Sequence, residues 1–153
     1  MTISPEIKLM VGFSALPFGS DKDLATQVFG PAQEIQVLTE DILGNNTLVY
    51  HYWDHGFSLF FDMNQNNSFS SVEIDNKDTI LFDTKIFSLK EKELIALMKA
   101  NGHPLSDTEV HNWGEKRLSF DDVELDCYFE NNKLVSVNFG RHSEKSDYKY
   151  FPN

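Results

Sequence analysis

The sequence predicts an α+β fold, in which two tandem units, each a helix followed by an antiparallel meander, form one layered domain with the helices on one sheet face. In each half, a helix-start signal and a glycine stop precede segments of alternating apolar and polar residues. The halves also echo each other, since Phe61-Asp62 corresponds to Phe129-Glu130 and Val72-Glu73-Ile74 to Val137-Asn138-Phe139. We expect a single domain over residues 1–153 with internal units at about 14–80 and 84–140.

The first predicted helix begins at Ser20-Asp21-Lys22-Asp23, where a Ser followed three residues later by an acid is typical of a capping box. Gly30-Pro31 ends this helix. Apolar and polar residues alternate over positions 33–38, which predicts a strand or an extended arm. The apolar face of the helix is expected to consist of Leu24, Val28 and Phe29.

The first unit continues with three predicted strands. Leu48, Tyr50 and Tyr52 alternate with polar or outward residues and end near a turn at residues 54–56. A second strand covers residues 57–61. After the polar loop 64–68, a third strand runs through Val72 and Ile74.

The second predicted helix follows Ser88-Leu89-Lys90-Glu91, a complete S-x-x-E capping box. Gly102 and Pro104 end it, and residues 103–112 are expected to be a loop. Leu118 and Phe120 mark the next strand. The apolar stripe of the helix consists of Leu94, Leu97 and Met98.

The clearest hairpin signal joins Asp121–Glu130 to Lys133–Phe139 through Asn131-Asn132, because asparagine tolerates the left-handed backbone of a two-residue turn. One face of the pair is expected to be buried: Val123, Leu125, Cys127, Phe129, Val135, Val137 and Phe139. The other face carries carboxylates around one aromatic ring: Asp122, Glu124, Asp126, Tyr128 and Glu130.

Charge narrows the class of partner. The chain has 13 Lys and Arg against 24 Asp and Glu, a net charge of −11. Nucleic acid and anionic lipid would be repelled, whereas a basic protein would be attracted. No apolar run is long enough to cross a bilayer, and Leu9–Leu16 makes a poor signal peptide. The chain is therefore expected in the cytoplasm, with its single cysteine, Cys127, packed as a small hydrophobe.

Residues Asp62–Glu73 match the calcium-loop pattern D-x-[DN]-x-[DN]-G-x5-E, except that Asn67 replaces the glycine. Strands rather than helices are expected to flank this segment, which favours an Asn-rich loop. His51 and His55 have a spacing compatible with zinc, but no third ligand follows at a usual spacing. We predict no metal and no cofactor.

Catalytic patterns are also missing from the sequence. It contains no G-x-S-x-G and no Gly-rich phosphate loop, and Ser88 lies in S-L-K-E rather than in S-x-x-K. Asp121, Asp122 and Glu124 are candidates for paired catalytic carboxylates, but Asp122 and Glu124 are expected on an open strand surface, where no pocket is implied. The chain is predicted not to be an enzyme.

The string LPFGSDKDLATQVFGPA, residues 16–32, resembles the opening of a β-lactamase-inhibitor-protein-like repeat, in which a capped short helix precedes an antiparallel meander. The second unit departs from this pattern, because Phe87-Ser88 replaces Phe-Gly and the proline moves to position 104. Such tandem repeats bind other proteins across a concave sheet. Small acidic bacterial immunity proteins that neutralise a toxin have a similar build. The resemblance implies a protein-binding domain of the inhibitor or immunity type.

The leading hypothesis is a non-enzymatic binder that occludes a basic partner, such as a toxin, through an acidic, aromatic sheet face. Two alternatives stay open: a structural module that self-associates, for example as a homodimer, and a calcium- or small-ligand-binding domain. A further alternative is that the aromatic residues are covered by the N-terminal segment, by the tail Tyr148–Phe151 or by the second copy in a homodimer. The predicted partner-binding residues are Trp53, Phe60, Asp122, Glu124, Asp126, Tyr128 and Glu130.

Overall fold

A computed structural model describes residues 5–39, 44 and 46–141 of the chain. Of these residues, 46% are in strands and 23% in helices, including short 3-10 turns. The strands are β1 (Ile7–Lys8), β2 (Gly12–Phe13), β3 (Leu16–Pro17), β4 (Glu34–Thr39), β5 (Asn46–Tyr52), β6 (Phe57–Asp62), β7 (Ser68–Ile74), β8 (Ile80–Leu81), β9 (Thr84–Lys85), β10 (Asp107–Val110), β11 (Glu115–Phe120), β12 (Leu125–Glu130) and β13 (Lys133–Gly140). The helices are α1 (Lys22–Phe29) and α2 (Glu91–Ala100).

Eight strands form one antiparallel sheet in the order β10-β11-β12-β13-β7-β6-β5-β4. Each half of the chain contributes four consecutive strands, and the last strands of the halves, β7 and β13, pair at the centre. In this central pairing Asn138 lies opposite Glu73, and Gly140 lies opposite Ser71. We call the β7–β13 pairing the seam.

The predicted α+β fold of two helix-plus-meander units with helices on one sheet face is wrong. The described chain is mostly β, with only two helices beside a large eight-stranded antiparallel sheet. Two strands beyond the predicted meanders, β4 and β10, extend this sheet at its edges. The short strands β1–β3 and the β8–β9 hairpin also contribute to the core, through Ile7, Phe13, Leu16 and Leu81. The proposed duplication and its unit boundaries stay predictions.

One cluster of buried side chains contains residues from both halves. The Phe13 ring lies 6.1 Å from that of Phe139 and 4.8 Å from that of Phe57. Alternation along β5, β6, β12 and β13 correctly predicts most of the inward residues, since side chains on a strand alternate between faces. The exception is Val135, which is half-buried, while Leu134 is fully buried.

Val135 departs from the predicted alternation because a β-bulge interrupts the β12–β13 pairing. Tyr128 lies opposite Ser136, but Phe129 lies opposite Leu134, which leaves Val135 as the extra residue. The β6–β7 pairing has a matching shift, where Phe60 lies opposite Ser71 and Phe61 opposite Phe69. Ser70 is the extra residue there.

Both helices begin later than the capping patterns predict. The α1 cap is Asp21, whose carboxylate accepts a hydrogen bond from the Leu24 backbone N–H at 2.9 Å. The α2 cap is Lys90, whose backbone N–H donates to Glu93 at 2.8 Å. Ser88 instead donates to the Lys85 carbonyl in a 3-10 turn. The buried residues of α1 are Ala25 and Phe29, and those of α2 are Leu94 and Met98.

The C-terminal hairpin turn is confirmed at Asn131-Asn132, where both residues have positive φ, at 52° and 61°. The strand predicted before it, Asp121–Glu130, is wrong in its first part. Residues Asp121–Val123 form a 3-10 turn, and Glu124 follows with φ 53°. The loop predicted at 103–112 contains β10, which pairs with β11.

Candidate functional site

The sheet face opposite the buried cluster, here called the outer face, carries the candidate site. Strand register places residues of the same face side by side across neighbouring strands. Glu73 on β7, Asn138 on β13 and Asp126 on β12 form one row through the seam. The row continues to Ser58 on β6 and to Ser119 on β11. Carboxylates from both halves of the chain therefore flank one asparagine at the centre of the outer face.

A hollow of about 520 Å³ opens at this position. We call it the central hollow. Gly140 lies in its floor, where a Cβ would approach the Ser70 carbonyl oxygen to 2.7 Å, so the lack of a side chain lets β7 and β13 come together. The residues that define the hollow's walls are Phe60, Glu73, Glu124, Asp126, Asn138 and Arg141.

The bulge in β7 shapes one wall of the central hollow. Ser70, its extra residue, donates a hydrogen bond from its hydroxyl to the Phe60 carbonyl at 3.2 Å. The Phe60 ring is half-buried on the outer face, on the β6 side of the seam. A bulge locally increases strand twist and redirects side chains, which is consistent with a concave surface at this point.

The central hollow is lined by more acidic than basic side chains. Asp126 accepts a hydrogen bond from the Ser119 hydroxyl at 2.7 Å. Neither Glu73 nor Asp126 forms an ion pair within the described residues. Arg141 lies at one end of the hollow and donates to the Ser68 hydroxyl at 2.7 Å. Three carboxylates and one guanidinium line the hollow, which leaves it negative.

Arg117, on the strand beside β12, has its carboxylate partners on the edge strand and not in the predicted acidic row. Its guanidinium donates to Asp107 at 3.1 Å and to Glu109 at 3.4 Å, both on the edge strand β10. Arg117 stands opposite Tyr128 in the β11–β12 register. Burial, and after it the charge of Asp126, raise the pKa of Tyr128, while Arg117 acts in the opposite sense. The Tyr128 phenol is therefore neutral at physiological pH.

Asn138, at the centre of the row, has a buried amide oxygen without a hydrogen-bond partner in the described part of the structure. Buried polar atoms in folded proteins are nearly always satisfied by protein, water or ligand. The Asn138 oxygen is thus a buried acceptor beside the central hollow, while the Asn138 side chain also interacts with Tyr128.

A second, smaller hollow of about 110 Å³ adjoins the central one and shares Glu73 with it. Trp53 forms one of its walls. The Trp53 ring is 58% exposed, stacks on His51 with 4.2 Å between ring centroids, and donates to Glu34 at 3.2 Å. Trp53 is thus held in place on the outer face while most of its surface stays in solvent.

The structure brings together some of the predicted site residues and separates others. Phe60, Glu124 and Asp126 line the central hollow, Tyr128 stands next along β12, and Trp53 borders the smaller hollow. Asp122 lies outside, in the 3-10 turn, 3.1 Å from His103. Glu130 is at the far end of β12, opposite Lys133 and Glu115. The sequence predicts that one strand face carries Asp122, Glu124, Asp126, Tyr128 and Glu130. This prediction is wrong for Asp122 and Glu124, because both residues precede β12.

Glu73, Asn138 and Arg141 were missed by the sequence reasoning. The signal for two of them was present, because the echo between residues 72–74 and 137–139 aligns Glu73 with Asn138. Both are polar residues between buried neighbours, and in the structure they face each other across the seam. Nothing in the sequence pattern indicates Arg141, which follows the end of β13.

The segment 62–73, considered for calcium, begins with a 3-10 turn at Met63–Gln65 and two asparagines with positive φ. Asp62 accepts a hydrogen bond from the Asn64 backbone N–H at 2.9 Å. His51, considered for zinc, contacts the Ser58 hydroxyl at 2.7 Å and the Gln36 side chain at 3.0 Å. Within the described ranges, no three His, Cys, Asp or Glu side chains are grouped so that they could hold a metal ion.

The tail Tyr148–Phe151, considered as a cover for the outer aromatic residues, lies outside the described residues. Neither helix of the described chain has the length and apolar character needed to span a membrane. No protein-family model matches the chain, and neither a curated protein nor a solved structure gives a significant match. The resemblance to β-lactamase-inhibitor-protein-like repeats stays a prediction.

Proposed function

We propose that this chain is a non-enzymatic protein-binding domain of the immunity or inhibitor type, which neutralises a basic partner, such as a toxin, by covering part of its surface. The observation that carries the proposal is the central hollow, where Glu73 and Asp126 from opposite halves of the sheet face solvent without an ion pair among the described residues. The net charge of −11 favours a cationic partner, and the location that goes with this proposal is the cytoplasm.

Aromatic residues around the central hollow supply the apolar part of the proposed interface. Phe60 and Tyr128 are half-buried and Trp53 is largely exposed, all on the outer face. Interface anchors are typically aromatic side chains surrounded by polar groups that exclude water. Charge then steers the approach of the partner and fixes its orientation.

We also propose, from the residues that line the central hollow, that this chain is not an enzyme. The residues that line the central hollow include no histidine, cysteine or lysine. Histidine is the commonest general base and cysteine and lysine are common nucleophiles, while carboxylates can also serve in these roles. The hollow offers carboxylates, hydroxyls and a phenyl ring instead, a set suited to binding.

Affinity capture from lysates of the source organism tests this function, with tagged wild type beside a Phe60→Ala/Tyr128→Ala variant, at low and high salt. Trp113→Ala is the matched control, because Trp113 is 71% exposed and stacks on His111, outside both hollows. We expect wild type and control to retain a basic protein that the double variant loses and that high salt releases.

Titration of the purified partner with wild type and with the double variant then measures how much binding free energy the variant loses. Removing two aromatic anchors should weaken binding by about 2 kcal/mol or more for each. Equal retention of the same proteins by the double variant would show that the outer face is not the interface. Unchanged thermal unfolding of the variant confirms that it is folded.

One observation favours the second candidate, a self-associating module. Every residue of the edge strand β4 is exposed, and no strand of the described chain pairs with its outer side. Ile35 is 59% exposed, Val37 51% and Leu38 42%. An exposed apolar edge strand is a template for pairing with another strand. Self-association through β4 should persist at high salt, whereas binding of a basic partner should weaken.

A further inference from the structure

We propose that two copies of this chain form a dimer through β4, with the two strands antiparallel and Gln36 on the two-fold axis, so that the sheet continues from one copy into the other. This inference rests on the second candidate function, the self-associating module, and gives it a partner and a register. Within the described ranges, no strand pairs with the side of β4 that faces away from β5. The backbone N–H and C=O groups on that side are therefore available to another strand.

The side chains of β4 divide between the two faces of the sheet. Ile35 pairs with Tyr50 and Val37 with Leu48 on β5, and both β5 residues belong to the buried core. Ile35 and Val37 thus lie on the core-side face, yet they are 59% and 51% exposed. Since side chains alternate along a strand, Gln36 lies on the outer face. The core-side face therefore ends in an apolar edge that a further strand would cover.

The order of residues in β4 is self-complementary in an antiparallel pair. With Gln36 on the axis, Ile35 of each copy lies opposite Val37 of the other, on the core-side face of both. Cross-strand pairs of β-branched residues favour strand pairing. If the axis passed through Val37 instead, Ile35 would lie opposite Thr39. The Gln36 register therefore pairs the apolar residues of this face more completely.

Charge favours a second copy of this strand over a segment of a basic partner. Glu34 is the only charged residue of β4, and its carboxylate already accepts a hydrogen bond from the Trp53 ring N–H at 3.2 Å. In the Gln36 register, Glu34 lies opposite Leu38 of the other copy. The two Glu34 positions are then about 14 Å apart along the strands, beyond the Debye length of about 8–10 Å at physiological salt. The strand β4 thus suits an uncharged strand, which its own copy provides.

The opposite edge of the sheet has the features of a protected edge. The strand β10 has four residues, and two of them, Asp107 and Glu109, carry charges that flank the Arg117 guanidinium at 3.1 and 3.4 Å. Short, charged edge strands resist pairing. A contact between β4 and β10 of another copy would also continue into a fibre, whereas a contact between two β4 strands closes on itself. We therefore expect a dimer and not a filament.

The size of the contact predicts a reversible dimer. Each copy contributes the six residues of β4, compared with roughly 20–30 residues a side in a standard interface. The net charge of −11 on each copy also opposes association at low salt. The chain should therefore exist as monomer and dimer in equilibrium, and salt should shift the equilibrium toward the dimer by screening the repulsion.

Sedimentation velocity of the full chain tests the dimer from low micromolar to near-millimolar concentration, at low and high salt. We expect the dimer fraction to rise with concentration and to be larger at high salt. A monomer under all these conditions would overturn the proposal.

Matched charge variants locate the contact. Gln36→Glu keeps a side-chain oxygen for His51, which now contacts Gln36 at 3.0 Å, and places two carboxylates opposite each other on the axis. It should weaken the dimer several-fold. Thr108→Glu adds the same charge at an exposed position of β10 and should leave the dimer unchanged. Equal weakening by both variants would show that β4 is not the contact. Unchanged urea unfolding at low concentration confirms that the variants are folded.

A mixture of two variants tests the register. Gln36→Lys should dimerise as poorly as Gln36→Glu when each is alone. An equimolar mixture of the two should form the dimer again, because opposite charges then face each other on the axis. If the mixture stays monomeric while wild type dimerises, Gln36 does not lie on the axis and the proposed dimer is wrong.

The dimer and the binding of a basic protein can fail separately. The strands β5 and β6 separate β4 from the seam, so one molecule can make both contacts. If a basic protein is captured but the chain is a monomer at every concentration, the immunity-type function stands and the dimer is wrong. If the chain dimerises in the expected register but no basic protein is captured, the dimer stands and the immunity-type function is wrong.

Discussion

Cys127 shows how sharply adjacent residues of β12 differ in environment. Its side chain is fully buried in the core, while Asp126 and Tyr128 on either side face the outer surface. Burial, and after it the charge of Asp126, raise the pKa of the Cys127 thiol far above its ordinary value. The neutral thiol packs as a small apolar group, as the alternation of the sequence predicts.

The first prediction concerns the reactivity of this thiol. Because only the thiolate reacts and Cys127 is buried, a disulfide reagent at mildly alkaline pH should label native protein no faster than the chain unfolds. Labelling in rising urea should then follow the unfolding rate. In the Asp83→Cys variant, which adds a thiol at an exposed turn position, the new cysteine should react at once. Prompt labelling of wild-type Cys127 would contradict its burial.

A second prediction at the residue scale concerns Tyr52, whose hydroxyl donates to the Gly30 carbonyl at 3.0 Å. Burial, and after it the proximity of Tyr50, raise the pKa of Tyr52 from 10.0 to about 12. Above pH 10 the unfolded chain loses this proton while the folded chain keeps it. The unfolded state therefore binds fewer protons, and the free energy of unfolding falls as pH rises from about 10 to 12.

Tyr52→Phe separates this contribution from those of other groups. At neutral pH the variant should lose about 1 kcal/mol of stability with the hydrogen bond to Gly30. Between pH 10 and 12 its free energy of unfolding should fall less steeply than that of wild type. Urea unfolding at several pH values measures both effects, and parallel pH profiles would show that Tyr52 titrates normally.

At the scale of elements, the β12–β13 hairpin is connected directly to the start of α2. The Asn132 side-chain oxygen accepts a hydrogen bond from the Glu91 backbone N–H at 3.0 Å. The first N–H groups of a helix lack partners within the helix, so this contact satisfies one of them. The turn residue thus fixes the position of α2 relative to the hairpin.

The two turn asparagines provide a matched pair of variants. Both have positive φ, which glycine also adopts readily, so either Asn→Gly substitution preserves the turn. Asn132→Gly removes the hydrogen bond to Glu91 and should cost about 1 kcal/mol. Asn131→Gly makes the same backbone change without that loss and should be neutral or slightly stabilising. Urea unfolding of the pair measures the difference, and equal stabilities would show that the contact contributes nothing.

The elements that the sequence predicted well are those with buried alternation. The strands β5, β6, β12 and β13 follow from it, and the hairpin turn follows from two adjacent asparagines. β10 reads Asp-Thr-Glu-Val, with all four residues exposed, so no apolar periodicity reveals it. The bulge at Val135 could not be predicted from the alternation either. An extra residue changes the face that the side chains beyond it occupy.

At the scale of the whole molecule, the candidate site depends on a pairing between strands far apart in sequence. Alternation correctly places Phe60, Asp126 and Tyr128 on the outer face, but it does not say that β7 pairs with β13. The central hollow exists only because of that seam, where Glu73 and Asn138 meet. Asp122 was misplaced for a local reason, since the 3-10 turn before β12 interrupts the alternation.

The continuous sheet and the shared core predict that both halves of the described chain unfold together. Trp53 lies in the first half and Trp113 in the second, and each stacks on a histidine, with ring centroids 4.2 and 4.5 Å apart. Trp53→Phe and Trp113→Phe therefore create two chains with one fluorescent reporter each. Both reporters should give the same urea midpoint, equal to that from far-UV circular dichroism.

Gly140→Ala tests whether the seam couples the halves. Its new Cβ would lie 2.7 Å from the Ser70 carbonyl oxygen, so β7 and β13 must move apart, at a cost of about 1–3 kcal/mol. If the seam joins one cooperative unit, this substitution should lower the midpoints of both tryptophan reporters by the same amount. Separate midpoints in the Gly140→Ala chains alone would show that the seam provides the coupling but is easily broken. Separate midpoints already in the parent chains would mean that each half unfolds independently, despite the contact between Phe13 and Phe139 across them.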